Sequence, residues 1–283
     1  MFTIRITSHR RSKFITESVF WYTSVMNNKL PLEKLKASVV IRCKNEAKQL
    51  KELLDVLFEQ TEMGFELIIV DNDSTDETRT LLKKFPVATT INIPDNEFNH
   101  AISCNLGMYV ARKNLVVLIN GHCLPVSNTW LADGLSNFTS KKVAGIDGNY
   151  RSRRDGSKSE KLGDIWQADT LNQKSEGQTL TTTNAIIRRD LWEKYPFDES
   201  LPECEDYDWS KEVLARGFRT IKEPKFNVYH SHNLTEKQRE AQNARWAKIC
   251  PKIDRRKRPR KSSSKVFDKG FWKKTKITVE KLL

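Results

Sequence analysis

The sequence has no long apolar run. None of its apolar segments approaches the roughly 20 residues that a membrane-spanning helix requires, and its first residues lack the continuous apolar core of a secretory signal. We therefore expect a protein that is soluble or peripheral to a membrane. Its 283 residues suffice for one large α/β domain with additional segments, or for two smaller domains.

Closely spaced cysteines and glycine-rich nucleotide motifs are also missing. No CxxC spacing of the kind that binds zinc occurs, and the five cysteines are scattered. This usage predicts reduced thiols in a cytosolic compartment. The absence of GxGxxG and GxxxxGK[ST] argues against a dinucleotide-binding fold and against a P-loop enzyme.

The charge of +13 is concentrated near the C-terminus. Residues 251–276 contain twelve Lys or Arg and two Asp, a balance of +10. This composition predicts a flexible, solvated tail. A second interpretation is binding to anionic lipid, with Phe267, Phe271 and Trp272 as interfacial anchors. Nucleic acid ranks third, because no nucleic-acid-binding motif accompanies the charge.

Residues 67–78, LIIVDNDSTDET, resemble a buried strand that ends in a polar turn. Four apolar residues precede Asp71, and six of the next seven are Asn, Asp, Ser or Thr. Such residues cap helices and form turns, so a helix should follow at 76–84. Capping alone explains one Asp. Three of them, Asp71, Asp73 and Asp76, favour a ligand site at the carboxyl end of a parallel strand.

The same pattern occurs elsewhere in the chain. Strands are predicted at 37–43, 65–70 and 87–93, and helices at 47–60 and 101–112. The first two strands and their intervening helix form a βαβ unit. Residues 115–119, LVVLI, should form the central strand, and Asn120-Gly121-His122-Cys123 follow it. A His at this position is either a ligand or a structural hydrogen-bonding residue.

Together these motifs resemble family 2 glycosyltransferases of the GT-A fold. VVIRCKNEA, LIIVDNDSTDET, FNHAISCNLGMYVA and LVVLINGHCLP occur in the family's order, and the resemblance spans residues 38–233. It implies a GT-A-like α/β fold with a mostly parallel central sheet flanked by helices. The predicted organisation is an N-terminal extension (1–36), a glycosyltransferase domain (37–250) and a basic C-terminal tail (251–283).

The resemblance also implies an activity. Such enzymes move a sugar from a nucleotide-diphosphate sugar donor to an acceptor hydroxyl, here with inversion. Asp206 would be the general base and Glu205 would bind or orient the acceptor, although a helix N-terminus also favours acidic residues for electrostatic reasons alone. The acceptor would be a saccharide or lipid-linked, and Trp166 and Trp209 are assigned to its site. The expected location is the cytoplasm or the inner membrane face.

The donor site follows from the same resemblance. Mn²⁺ or Mg²⁺ would hold the diphosphate, but the Asp-any-Asp position reads Asn120-Gly121-His122 and contains no carboxylate. His122 and His230 are therefore the candidate metal ligands, with Asn120 and His232 in the diphosphate or metal loop. The candidate nucleotide-binding residues lie on or after the first strands and the following helix: Arg42, Glu46, Asp71, Asp73 and Asn105.

Three alternatives remain at this stage. The missing carboxylates allow an inactive relative that only binds nucleotide sugar. A nucleotidyltransferase would need a Gly- and Arg-rich phosphate loop near the first strand, and Arg42-Cys43-Lys44-Asn45-Glu46 contains no glycine. A nucleic-acid-binding protein would act through the basic tail.

Overall fold

The structure is a computed structural model that describes residues 32–282, with side chains described from residue 33 onward except that of Trp166. Most of the predicted N-terminal extension, residues 1–31, lies outside this range. Within residues 32–282 no helix is both long and apolar enough to cross a membrane.

The described chain alternates strands and helices. The strands are β1 (Ala37–Cys43), β2 (Phe65–Asp71), β3 (Thr89–Asn92), β4 (Leu115–Asn120), β5 (Leu124–Pro125), β6 (Val143–Asp147), β7 (Tyr150–Arg151), β8 (Ser175–Glu176), β9 (Asn184–Arg188), β10 (Arg219–Lys222), β11 (Val228–Tyr229) and β12 (Thr278–Lys281). The α-helices are α1 (Ala47–Leu57), α2 (Thr78–Leu82), α3 (His100–Val110), α4 (Trp130–Leu135), α5 (Lys158–Trp166), α6 (Ala168–Leu171), α7 (Arg189–Trp192), α8 (Glu205–Ala215), α9 (Glu236–Asp254) and α10 (Lys269–Lys274). Four short 3₁₀ turns lie at Leu32–Lys34, Asp95–Glu97, Pro224–Phe226 and Lys265–Phe267.

Nine of these strands form one twisted sheet in the order β12-β3-β2-β1-β4-β9-β6-β10-β8. Strands β3, β2, β1 and β4 are mutually parallel, and β6 and β10 run in the same direction. Strands β9, β12 and β8 run in the opposite direction. The prediction of an α/β fold with a mostly parallel sheet is confirmed, and β4 is the middle strand of the nine, as its apolar sequence predicts.

Apolar residues on both faces of the sheet explain this arrangement. On one face, the Leu50, Leu53, Leu54 and Leu57 stripe of α1 is completely buried against β1 and β2. On the other face, α3 packs small and aliphatic side chains against Val40, Ile68 and Leu118. Helix α2 is shorter than predicted, because Asp76 accepts hydrogen bonds from the backbone of Ala47 and Thr78 and lies outside the helix.

A second, three-stranded sheet in the order β5-β11-β7 lies at the carboxyl edge of the large one. Tyr229 of β11 pairs with Leu124 of β5 on one side and with Arg151 of β7 on the other. Residue 230 therefore comes beside the loop that ends at residue 123. Each strand has two residues, too few for an apolar pattern to reveal.

The C-terminal segment, residues 255–282, packs on the domain. Strand β12 pairs with β3 at the sheet edge, and Val266 and Ile277 are buried. Phe271 and Trp272 pack against the core on the α3 side and are not free membrane anchors. The prediction of a flexible tail is wrong for these residues, although nine of the twelve cations of residues 251–276 remain exposed to solvent, as predicted.

Three arginines of this segment explain its attachment. Arg256, Arg258 and Arg260 all bind the carboxylate of Asp208 on α8, and Arg258 also donates to Glu212 at 2.9 Å. Both carboxylates are completely buried. The arginines neutralise them, so these cations are not available to lipid or nucleic acid.

Candidate active site

Arg42, at the end of β1, links three elements at the carboxyl edge of the large sheet. Its Nη2 donates to the Oδ1 of Asn120 and to the carbonyl oxygen of Thr182, each at 2.8 Å. Its Nη1 donates to the Sγ of Cys104 on α3 at 2.8 Å. Asn120 thus faces Arg42, and the guanidinium is a fixed positive charge in this edge.

The acidic pair lies beside Arg42 at the start of α8. Cys204, the preceding residue, adopts a left-handed conformation with φ 69°, which turns the chain into the helix. The Oδ2 of Asp206 accepts a hydrogen bond from the backbone N–H of Thr182 at 3.0 Å, and its Oδ1 accepts one from the N–H of Tyr207 at 2.8 Å. Asp206 is therefore half-buried and firmly oriented.

Glu205 is in a different environment. Its side chain is buried, and burial raises its pKa to about 7, with a further increase from the negative charge of Asp206. The positive charge of Arg42 opposes this increase. Two adjacent carboxyl groups thus have different surroundings, and Asp206 is the one with access to solvent.

Three histidines converge on the other side of the Asn120-Gly121-His122 loop. The Nε2 atoms of His122 and His230 are 2.9 Å apart, and the ring of His232 lies 5.0 Å from that of His122 and 4.5 Å from that of His230. One ring nitrogen from each of the three lies within 4.8 Å of the others. The pairing of β11 with β5 produces this cluster, because it places residue 230 beside the loop.

Glu46 orients the first of these rings. Its Oε1 lies 2.6 Å from the Nδ1 of His122, and its Oε2 is buried without a hydrogen-bond partner. A Cβ on Gly121 would lie 2.6 Å from that Oε2, so only glycine permits this approach. A metal-binding imidazole usually donates its far N–H to such a carboxylate, which fixes the orientation of the ring.

The donor set fits a borderline divalent metal ion. Burial, together with the neighbouring His122 and His232, lowers the pKa of His230 to about 2. Its imidazole is therefore neutral near pH 7 and keeps a lone pair for coordination. Imidazole ligands suit Mn²⁺ better than Mg²⁺, which prefers oxygen. These residues therefore fit Mg²⁺ poorly. Three imidazoles alone suit Zn²⁺ and the later first-row metals, and Mn²⁺ would need added oxygen ligands such as those of a diphosphate.

Asp71 and Asp73 do not offer free carboxylates. Asp71 is buried and accepts hydrogen bonds from the N–H of Ser74 at 3.2 Å and from the Nε of Arg79 at 3.2 Å. Arg79 also donates to Asp73 at 3.0 Å and to Asn92 at 2.8 Å. One arginine thus binds both carboxylates at the end of β2, and a contact between Asp71 and a base would require that arginine to move.

Two of the predicted site residues belong to the core. Asn105 is completely buried; it accepts hydrogen bonds from the Nε1 of Trp192 and the N–H of Phe197, and donates to Glu199. Trp209 is buried and packs against Phe197. Neither side chain can reach a ligand, so these two assignments are wrong. Trp166 is the last residue of α5, and its side chain is outside the described part of the structure.

Three residues near the site were missed in the sequence. Thr182 holds both Arg42 and Asp206, and Arg153 donates to the carbonyl oxygen of His122 at 3.1 Å. The contacts of Thr182 and of Arg153 join residues far apart in the chain, and no local sequence pattern predicts them.

The third is Trp246 on α9, a helix that crosses the start of α8. The Sγ of Cys250 lies 3.8 Å from that of Cys204, and the Nε of Arg245 lies 2.7 Å from Glu203. Trp246 precedes Cys250 by one turn on the same helix face, about 6 Å along the axis. It is 42% exposed. A large aromatic ring therefore remains accessible about one helical turn from the contact between α9 and Cys204.

Residues 38–195 match the profile described as glycosyl transferase family 2. The chain belongs to this family. It is 25% identical over 189 residues to glycosyltransferase AglE of Haloferax volcanii. The match covers 64% of this chain and 62% of AglE. It is 27% identical over 191 residues to the O-antigen chain rhamnosyltransferase WbaN of Salmonella anatum, covering 63% of this chain and 60% of WbaN. The match thus spans less than two thirds of either relative.

Solved structures confirm the GT-A fold of this family 2 chain. The mannosyltransferase PcManGT from Pyrobaculum calidifontis, in complex with GDP-Man and Mn²⁺, superposes with a TM-score of 0.60 at 18% identity, covering 88% of this chain and 75% of PcManGT. S. aureus TarS 1-349 in complex with UDP-GlcNAc gives a TM-score of 0.55 at 17% identity, covering 71% and 60%.

Proposed function

We propose that the chain transfers a sugar, with inversion, from a nucleotide-diphosphate sugar to an acceptor hydroxyl, and that Asp206 is the general base. The observation that carries the proposal is the position of Asp206. Its oriented, half-buried carboxylate shares one sheet edge with Arg42 and with the loop that leads to the histidine cluster. An acceptor-activating group and a diphosphate-binding group are thus next to each other, in a chain of family 2.

The role of Asp206 follows from its surroundings. An acceptor hydroxyl must lose its proton as its oxygen attacks the anomeric carbon, and a carboxylate within hydrogen-bond reach accepts it. Thr182 holds Asp206 in place, and its Oγ1 donates to the buried neighbour Glu205 at 3.5 Å, the residue that we assign to orienting the acceptor. Attack from this side displaces the diphosphate from the opposite face of the sugar, and a single displacement inverts the anomeric centre.

The diphosphate belongs on the histidine side of the loop. His122, His230 and His232 would hold Mn²⁺, with Glu46 orienting His122. The metal would supply positive charge to the departing diphosphate. Arg153, whose Nη1 binds the loop carbonyl, adds a fixed positive charge behind the cluster. Support comes from PcManGT, which was solved with GDP-Man and Mn²⁺.

The acceptor belongs on the α9 side of Asp206. Trp246 replaces Trp209 as the aromatic residue for this role, because its accessible ring can stack on the apolar face of a sugar. A saccharide or lipid-linked acceptor fits such a contact. The names of two relatives, both O-antigen chain rhamnosyltransferases, point to the same class.

Titration calorimetry with the full chain tests the donor class. Nucleoside diphosphates and their sugar conjugates, with Mn²⁺, with Mg²⁺ or with chelator, should give binding that depends on Mn²⁺ and fails in chelator. The double variant His122→Ala with His230→Ala should lose this dependence. Absence of binding by every nucleotide would contradict the proposal, and binding without transfer would favour an inactive nucleotide-sugar-binding relative.

A further inference from the structure

Helix α5 turns its acidic side toward the protein. The Oε1 of Glu160 accepts hydrogen bonds from the backbone N–H of His232 at 3.0 Å and of Asn233 at 3.2 Å. The Oδ2 of Asp164 accepts one from the N–H of Ser152 at 2.8 Å. A surface helix ordinarily places carboxylates in water and apolar residues against the core. Here the carboxylates anchor the helix from within.

The opposite side of α5 is apolar and faces outward. Leu162 is 50% exposed and Ile165 is 67% exposed. They lie three residues apart and therefore share one face. Lys158 lies four residues before Leu162, and Lys161 lies four residues before Ile165. Both lysines are exposed, and this spacing places them on the same face. The outer surface of α5 is thus two large aliphatic side chains beside two ammonium groups.

Other cations extend this surface. Lys161 donates to the carbonyl oxygen of the exposed residue Arg154 at 2.9 Å, and Arg239 of α9 donates to Ser159 at 2.5 Å. Asp155 is an exposed carboxylate close by, and it lies 3.5 Å from Arg153. Cations therefore outnumber the exposed carboxylates of Asp155 and Asp169 around the two aliphatic residues.

We propose that the outer face of α5 docks on an anionic lipid bilayer, with Leu162 and Ile165 inserted at the headgroup level and Lys158, Lys161 and Arg154 on lipid phosphates. Isolated exposed aliphatic residues are common on protein surfaces. On α5 they are combined with an inverted helix and a cationic surround, which matches a bilayer surface that is apolar in its interior and negatively charged at its headgroups.

This proposal adds a membrane contact at α5 to the C-terminal segment, whose remaining lysines are also exposed. Arg256, Arg258 and Arg260 are occupied by buried carboxylates, whereas the cations of α5 face outward. Glu160 joins α5 to the backbone directly after the histidine cluster. Docking through α5 would therefore bring the candidate active site close to the bilayer surface.

Vesicle flotation with the full chain tests the proposal without any sugar donor, so its outcome is independent of the proposed activity. The chain should float with phosphatidylcholine vesicles that contain phosphatidylglycerol, and far less with phosphatidylcholine alone or at high salt. Lys158→Gln with Lys161→Gln should weaken binding roughly 25-fold, from about fivefold for each cation. Leu162→Glu with Ile165→Glu should weaken it at least as much.

The matched control is Val279→Glu with Leu282→Glu. These residues are also exposed aliphatics, 36% and 46%, and the double change alters net charge by the same amount at a distant sheet edge. The control should bind vesicles like the parent chain. Equal loss in the control, unchanged binding by the α5 variants, or no binding by the parent chain would each overturn the proposal. In the last case, sedimentation would show whether a second copy covers α5.

Discussion

At the scale of single residues, three histidines and Glu46 lie together around one glycine. Gly121 lets Glu46 approach the loop, and Glu46 in turn fixes His122. Each of the three histidines follows a strand, so the sequence can nominate them. The contact between Glu46 and His122 joins residues 76 positions apart, and no local pattern predicts it.

Glu46→Gln should weaken Mn²⁺ binding by about 10- to 100-fold, because a neutral amide orients the imidazole less firmly and makes it less basic. Isothermal titration calorimetry with Mn²⁺ alone measures this. The same substitution at the exposed Glu59, near the end of the same helix region, should leave the affinity unchanged. Equal affinities of the Glu46 variant and the parent would show that Glu46 does not support a metal ligand.

The raised pKa of Glu205 predicts that the stability of the protein depends on pH. Burial raises its pKa from 4.5 in the unfolded chain to about 7 in the folded one, so the folded state binds more protons between these values. The contribution of Glu205 to the free energy of unfolding is therefore largest below about pH 4.5 and falls as pH rises to about 7. Glu205→Gln removes this titration.

The measurement is urea unfolding of parent and Glu205→Gln at about pH 5 and about pH 8. The stability of the variant relative to the parent should rise between these values by on the order of 1–3 kcal/mol. Glu203→Gln, a more exposed neighbour, should show no such trend. A pH-independent difference for Glu205→Gln would mean that its carboxyl is not held with a raised pKa.

At the scale of elements, the C-terminal segment holds the helix that carries the acidic pair. Asp208 and Glu212 lie on α8 directly after Asp206, and both are completely buried against arginines of the segment. The sequence shows twelve cations and predicts a tail, because the partners of Arg256, Arg258 and Arg260 lie about 50 residues away. Long strands such as β1 and β4 are predictable from apolar runs; these ion pairs are not.

Arg258→Met should lower the free energy of unfolding by about 3 kcal/mol, the lower end for breaking a buried ion pair, because Arg256 and Arg260 still face Asp208. Denaturant unfolding measures the change. Lys257→Met is the control: its side chain is exposed, and its effect should stay within about 0.5 kcal/mol. If the two variants unfold alike, Arg258 does not fasten the segment to α8.

At the scale of the whole molecule, the candidate active-site residues lie together at the carboxyl edge of the large sheet. Arg42 lies on β1 and Asn120 on β4, His230 follows β11 of the small sheet, and Asp206 lies at the start of α8. The family resemblance predicted the fold and most of these residues. It misplaced Asn105 and Trp209, since a motif position does not show whether a side chain points into the core or out of it.

The account depends most directly on Asp206 as the base. The decisive measurement is steady-state transfer by Asp206→Asn, together with calorimetry of donor binding to the same variant. Asparagine keeps the shape and the acceptor oxygen for Thr182 but cannot take a proton, so kcat should fall roughly 10²- to 10⁴-fold while the donor Kd stays unchanged. Transfer at near the parental kcat, or a loss fully explained by weaker donor binding, would contradict the assignment.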